Sequence, residues 1–227
     1  MTRWLTAFVA ILAPVLLSKS SGHAQTPPSA AEIAAYRGLH AAAAKGDVAE
    51  VRALLRQGVD LNARDGHGRT ALHVAAHASH RDVIRELAQA GADMRAKDSR
   101  AYDIITIAAV KNDPATVQLA VTLGSDPKAI TSPYDGTALI AAAHLGHVEV
   151  VRTLIAAGAP LDHVNNLGWT AAIEAVILGD GGERHQQTLK ALVDAGANTR
   201  IADRDGVTPL EHAKRRGYAA MIAILSR

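Results

Sequence analysis

Three histidines, His73, His77 and His80, stand at i, i+4 and i+7 within TALHVAAHASH, residues 70 to 80. On one helix that spacing projects all three rings from a single face, the way a protein offers nitrogen ligands to a zinc ion. A Gly-rich acidic stretch, GDGGERH at 179 to 185, is a second candidate: its oxygens suit a cation, although such stretches are also ordinary surface insertions. Catalytic patterns are missing elsewhere. The chain contains no GxSxG elbow, no phosphate-cradling glycine loop and no HExxH, and having no cysteine it has no thiolate ligand, disulfide or cysteine nucleophile. Whether the histidines form a ligand set depends on the elements that carry them.

Those elements recur. Glycines at 58, 91, 124, 158 and 196 each close an apolar stretch: VRALLRQG, VIRELAQAG, TVQLAVTLG, VVRTLIAAG and LKALVDAG. A second marker, Thr70, Thr137, Thr170 and Thr208 with Asp103 in the remaining slot, follows the preceding glycine by 12 residues, or by 13 before Thr137. Two markers in one register mark an internal repeat. Thr or Asp at the marker can accept a hydrogen bond from a helix start, and Pro209 after Thr208 fits the first helical position. Each marker therefore opens a first helix of about nine residues. Breaks follow at Gly46, Ser79, Asn112, Gly146, Gly179 and Gly217, mostly residue types that tolerate positive φ. A second helix, opened by Asp113-Pro114 in the third unit, runs to the marker glycine at its C-terminal cap. The dozen residues up to the next marker, such as ADMRAKDSRAY, show no helical period and form a turn-rich connection.

Composition suits one packed domain: 227 residues, of which 48% are hydrophobic. Residues 1–24 read as a signal peptide, with Arg3 as a positive start, the apolar run WLTAFVAILAPVLL, and GHA before Gln25. That run is too short to span a bilayer comfortably, so export rather than membrane insertion is expected. Without this segment, which carries Arg3 and Lys19 and no acid, 22 basic residues face 22 acidic ones. The exported chain is neutral and has no electrostatic footprint for nucleic acid. Residues 25–36 form an N-terminal extension in which Ser29 and Glu32 make a capping box for an early helix.

The stretches TALHVAAHASHRDVIRELAQAGADMRAKD at 70–98, TALIAAAHLGHVEVVRTLIAAGAPLD at 137–162 and TPLEHAKRRGY at 208–218 resemble ankyrin repeats. The resemblance covers 37–227 and implies an all-α repeat solenoid of about six stacked helix-turn-helix units joined by β-hairpin-like loops. The units start near Arg37, Thr70, Asp103, Thr137, Thr170 and Thr208. The third unit departs from the pattern by lacking the marker Thr and the usual His, and the fifth carries five extra residues within 179–185. In that family a histidine three residues after the marker, here His40 and His73, is structural and bonds to the backbone of the connecting loops. His80 shares the column of Asp47, Asp113, His147 and His185 at the start of the second helix. Only His77 remains, and one histidine is not a metal site. No metal, no cofactor and no enzymatic activity are expected.

The resemblance also implies where a partner protein would bind, on the concave face formed by hairpin tips and first helices. Expected partner-binding residues are His67, Arg100, Tyr134 and Leu167, three before the marker; Arg69, Tyr102 and Trp169, immediately before it; and His77, Lys111 and His144 on the inner helices. Outside the signal segment only five aromatics occur, and Tyr36, Tyr102, Tyr134 and Trp169 fall in these hairpin columns while Tyr218 does not. Exposed aromatics concentrate where interfaces bind most tightly. The expected function is an exported, monomeric protein-interaction module, periplasmic or secreted from a bacterium. The alternatives are a secreted effector or toxin-related factor, or a cation-binding envelope protein.

Overall fold

A computed structural model describes residues 25–227, so the segment expected to be a signal peptide lies outside the described residues. Gln25 to Pro28 form no regular element, and Ser29 then caps a short helix α1, Ala30–Ala35. The expected capping box is present: the Glu32 amide donates to Ser29 Oγ at 3.2 Å, and the Ser29 amide returns a bond to Glu32 Oε2 at 2.8 Å.

Six helix pairs follow. They are α2 Gly38–Lys45 with α3 Val48–Arg56, α4 Ala71–Ala78 with α5 Arg81–Gln89, and α6 Ile104–Val110 with α7 Pro114–Thr122. Then come α8 Ala138–Leu145 with α9 Val148–Ala156, α10 Ala171–Ile177 with α11 Glu183–Asp194, and α12 Pro209–Arg216 with α13 Ala219–Leu225. First helices stack as an inner row, α2 through α12, each against the next. Second helices form an outer row, which is loosest between α5 and α7. The architecture is an all-helical repeat solenoid, and no strand forms among the described residues.

Small side chains explain the close stacking of the inner row. Ala42–Ala43, Ala75–Ala76, Ala108–Ala109 and Ala142–Ala143 recur one unit apart, and all are buried, so backbones approach without intervening bulk. Val51, Leu87, Val117, Leu154 and Leu192 on the outer helices close the other side of the core. Every marker accepts or organises a cap: Asp103 Oδ1 takes the Thr106 amide at 2.8 Å, and Thr208 forms a capping box with Glu211. First helices are seven or eight residues long, slightly shorter than expected.

Five of the expected breaks deserve their residue types: Gly46, Ser79, Asn112, Gly146 and Gly217 all have φ between 57 and 71°. Gly179 does not follow the expectation. Leu178 ends α10 in right-handed geometry, and positive φ falls instead on Gly181, at 72°. The five extra residues are divided between this turn and an α11 three residues longer than its counterparts. The loop is anchored rather than loose, because the Tyr218 hydroxyl donates to Gly179 O at 3.3 Å and a Cβ on Gly181 would lie 2.6 Å from the Tyr218 ring.

Connections between units are tight turns with a shared design. In five successive turns one side-chain oxygen, from Asp65, Asp98, Ser132, Asn165 or Asp203, accepts the amides two and four residues ahead at 2.8–3.2 Å. A backbone bond closes each turn, as from the Asp98 amide to Tyr102 O at 2.9 Å. The extra residue before Thr137 is absorbed here, since the closing amide in that turn is Thr131 rather than Ser132.

Candidate functional site

Two of the three histidines that suggested a metal site, His73 and His80, are spoken for by the frame. The His73 ring accepts the Thr70 amide at Nδ1 (3.2 Å) and donates from Nε2 to Tyr102 O (3.2 Å), a tautomer assigned from its partners. His40 makes the equivalent bond to Arg69 O at 2.9 Å. In the third unit, where the histidine is missing, Thr106 Oγ1 and Thr131 Oγ1 pair instead at 2.5 Å. The second-helix column reaches back one unit: His80 donates to Ala44 O, His147 to Ala109 O and His185 to His144 O. His77 is partly buried, and burial together with the neighbouring Arg69 charge lowers its pKa to about 4. Among the described residues no group of three or more His, Cys, Asp or Glu is placed to hold a metal ion.

The two hairpin columns behave differently. Residues three before the marker, His67, Arg100, Tyr134 and Leu167, are exposed at the turn tips. The column immediately before the marker turns inward. Arg69 and Tyr102 are each only 2% exposed, Trp169 is half-buried and Val207 is buried. The expectation of exposed Arg69 and Tyr102 side chains is therefore corrected: the closing bond of each turn directs this residue back toward the stack. Arg69 Nε donates to Asp65 Oδ2 at 2.7 Å, its Nη2 pairs with Glu32, and the Tyr36 hydroxyl donates to Asp65 Oδ2 at 2.6 Å. His67 Nε2 also lies 3.2 Å from Glu32. Bonds from Ser29, with Arg69 adding to them, lower the Glu32 pKa to about 2. Against the opposing effect of burial, the Tyr36 hydroxyl and Arg69 hold Asp65 well below the usual carboxylate range.

Five of the expected residues do come together. Arg100, Tyr102, Tyr134, His144 and Leu167 line one cleft of about 380 Å³ spanning the turns of units three to five and helices α8 and α10. Tyr102 forms part of its floor, and the Arg100 guanidinium lies over that ring, 5.9 Å from the centroid. Tyr134 (52% exposed), Leu167 (40%) and Leu178 (42%) make its apolar rim. Lys111 is exposed just beyond α6, and neither it nor Trp169 lines the cleft; His67, Arg69 and His77 lie toward the N-terminal end.

Eight further residues line the cleft, and among them the side chains of Ile140, Asn165 and Glu174 were not singled out from the sequence. A signal existed for Glu174. Four residues after the marker the other units carry Ala41, Val74, Ile107 and Ala141, with His212 in the last, so a carboxylate breaks an apolar column. Glu174 is buried on α10; its Oε1 accepts from Asn165 Nδ2 at 3.0 Å, while Oε2 has no hydrogen-bond partner. His144 Nδ1 approaches Oε2 to 3.3 Å without forming a hydrogen bond to it.

The architecture is shared with known proteins. Residues 16–98 and 105–183 match the family described as ankyrin repeats (3 copies). The putative ankyrin repeat protein YahD of Escherichia coli K12 is 31% identical over 185 residues, which is 81% of this chain and 92% of YahD. An ankyrin repeat domain from Acinetobacter baumannii AYE, solved by crystallography, is 46% identical with a TM-score of 0.79 over 83% of this chain and 95% of that one. The ankyrin repeat domain of Bcl-3, described as a unique member of the IkappaB protein family, superposes with a TM-score of 0.76 at 27% identity, covering 85% and 86% of the two chains. With the repeat register, the stacked helix pairs and these matches in agreement, the chain belongs to the ankyrin repeat family.

Proposed function

We propose that this chain is an exported, monomeric scaffold that binds a protein partner through the cleft of units three to five. Ankyrin repeat domains are generally protein-interaction modules, and nothing in the site geometry offers a nucleophile and base in reach of one another. The observation that carries the reading is the concentration of exposed apolar side chains: of six large ones among the described residues, Ile130, Tyr134, Val164, Leu167 and Leu178 fall between residues 130 and 178, and three of these rim the cleft. Isolated exposed apolar residues need no explanation, but a cluster around a concavity is the signature of a docking site. Export is supported by the charged start, the apolar run and the small residues before Gln25. No helix among the described residues is long and apolar enough to cross a membrane.

A photo-crosslinking residue at Leu167 tests the docking site, with one at Arg152 on α9 as a control on the outer row. The Leu167 probe should capture one defined protein in the envelope or medium, and the Arg152 probe should not. Equal capture from both positions, or none from Leu167, would overturn the reading. N-terminal sequencing of the chain recovered from those fractions should begin at or near Gln25, and a chain there that begins at Met1 would overturn export.

A further inference from the structure

Among the buried carboxylates of the repeat columns, Glu174 stands out because the fold uses only half of it. Asn165 takes Oε1, and in doing so ties the turn that presents Leu167 to the helix beneath it. The same two columns pair in the last unit, where His212 Nε2 donates to Asp203 Oδ2 at 2.6 Å, so the structural role of this position needs one contact. In unit five the second oxygen is left over. The Glu174 side chain is 5% exposed and lines the cleft, with its Oε2 buried beside His144 Nδ1. A buried carboxylate oxygen without a donor is costly, so a group that donates to it gains from completing it. His144 Nδ1 lies 3.3 Å from it without bonding to it, and that ring, with 43% of its side chain exposed, has room to turn aside for a better donor.

Resting on the docking site proposed above, we infer that the cleft receives a partner segment bearing an arginine or lysine, whose cationic head pairs with Glu174 Oε2. The aliphatic stem of that side chain lies along Tyr134, Leu167 and Leu178, which supply apolar surface on the way in. A guanidinium suits the site better than an ammonium, because its planar fork can donate to Oε2 while stacking on an aromatic face. Arg100 is the one cation in the lining, placed two units away on the third turn over Tyr102; it disfavours a second positive charge at that end and so sets the direction of the segment.

Short random peptides displayed on phage, panned against the mature chain, provide the probe. Selected peptides should share an arginine or lysine flanked by apolar residues. Replacing that cation by norleucine in a synthetic copy should weaken binding to the unaltered chain about tenfold or more, as for a desolvated charge pair. On Glu174→Gln, which keeps an oxygen for Asn165, the original peptide should lose a similar factor and the norleucine replacement should cause little further loss. If Glu174→Gln unfolds, the norleucine comparison on the unaltered chain decides alone. Peptides that bind through Tyr134 and Leu167 but share no cation, or whose cation is indifferent to Glu174, would overturn this inference and leave the docking site standing. Peptides that bind with Tyr134→Ala and Leu167→Ala both in place, or a panning that enriches nothing, would overturn both.

Discussion

At the N-terminal end of the stack Arg69 is enclosed by the extension before the first full repeat, whereas in unit three Tyr102 borders a cleft whose apolar rim lies open. Arg69 and Tyr102 occupy one column and are equally buried, yet for different reasons. Arg69 is enclosed by Asp65, Glu32 and Tyr36, two of which come from the extension before the first full repeat. Tyr102 is covered from below by the stack and borders the cleft. The difference teaches that a repeat column sets direction, while exposure is decided by what the neighbouring element brings. Residues 29–36 bring polar groups that saturate an arginine and close the end. Tyr134, Leu167 and Leu178 bring apolar surface that nothing among the described residues covers.

The contrast breaks first at Tyr102. If its ring is floor rather than rim, Tyr102→Ala should remove packed volume and cost about 3 to 5 kcal/mol in urea unfolding. A variant as stable as the parent chain would put the ring in solvent and undo the division between the two columns. At the closed end Arg69→Met should cost about 3 kcal/mol, because it strands Asp65 and Glu32 without their shared cation. Proteolysis near residues 25–36 should accelerate in that variant; unchanged cleavage would mean that the extension is held by other contacts.

Acid should act on the closed end. The folded-state pKa of Glu32 lies below its ordinary value of 4.5, so its contribution is fully present above pH 4.5 and is lost as pH falls toward about 2. Glu32→Gln should flatten the stability profile over that window. His77 acts at higher pH: its folded-state pKa is depressed from 6.5 to about 4, so the unfolded chain takes the proton first and stability declines as pH drops through that range. His77→Ala should reduce the decline, and a profile identical to the parent's would show the ring to be solvated. The smallest effect belongs to the open cleft, where Tyr134→Ala should change stability by no more than about 0.5 kcal/mol while removing partner or peptide binding. A large loss of stability there would make Tyr134 a packing residue.

The sequence by itself determined the period, the helix pairs and the caps at Ser29, Asp103, Asp113 and Thr208, because each follows from spacing and from local hydrogen-bonding chemistry, whereas the structural duty of His73 is what the resemblance to ankyrin repeats implied. Which side chains form a site is a different kind of fact. Tyr134 and Leu167 were legible as tip residues, since turn tips project outward in every unit. Arg69 and Tyr102 were misread as exposed, because a column position says nothing about the groups that enclose it. Glu174 could have been noticed as a break in an apolar column, but its half-satisfied state depends on Asn165 lying nine residues earlier in sequence and 3.0 Å away in space. Tertiary structure alone decided the closed end and the open cleft, since burial is set by the sum of neighbours from successive units, and no local pattern encodes that sum.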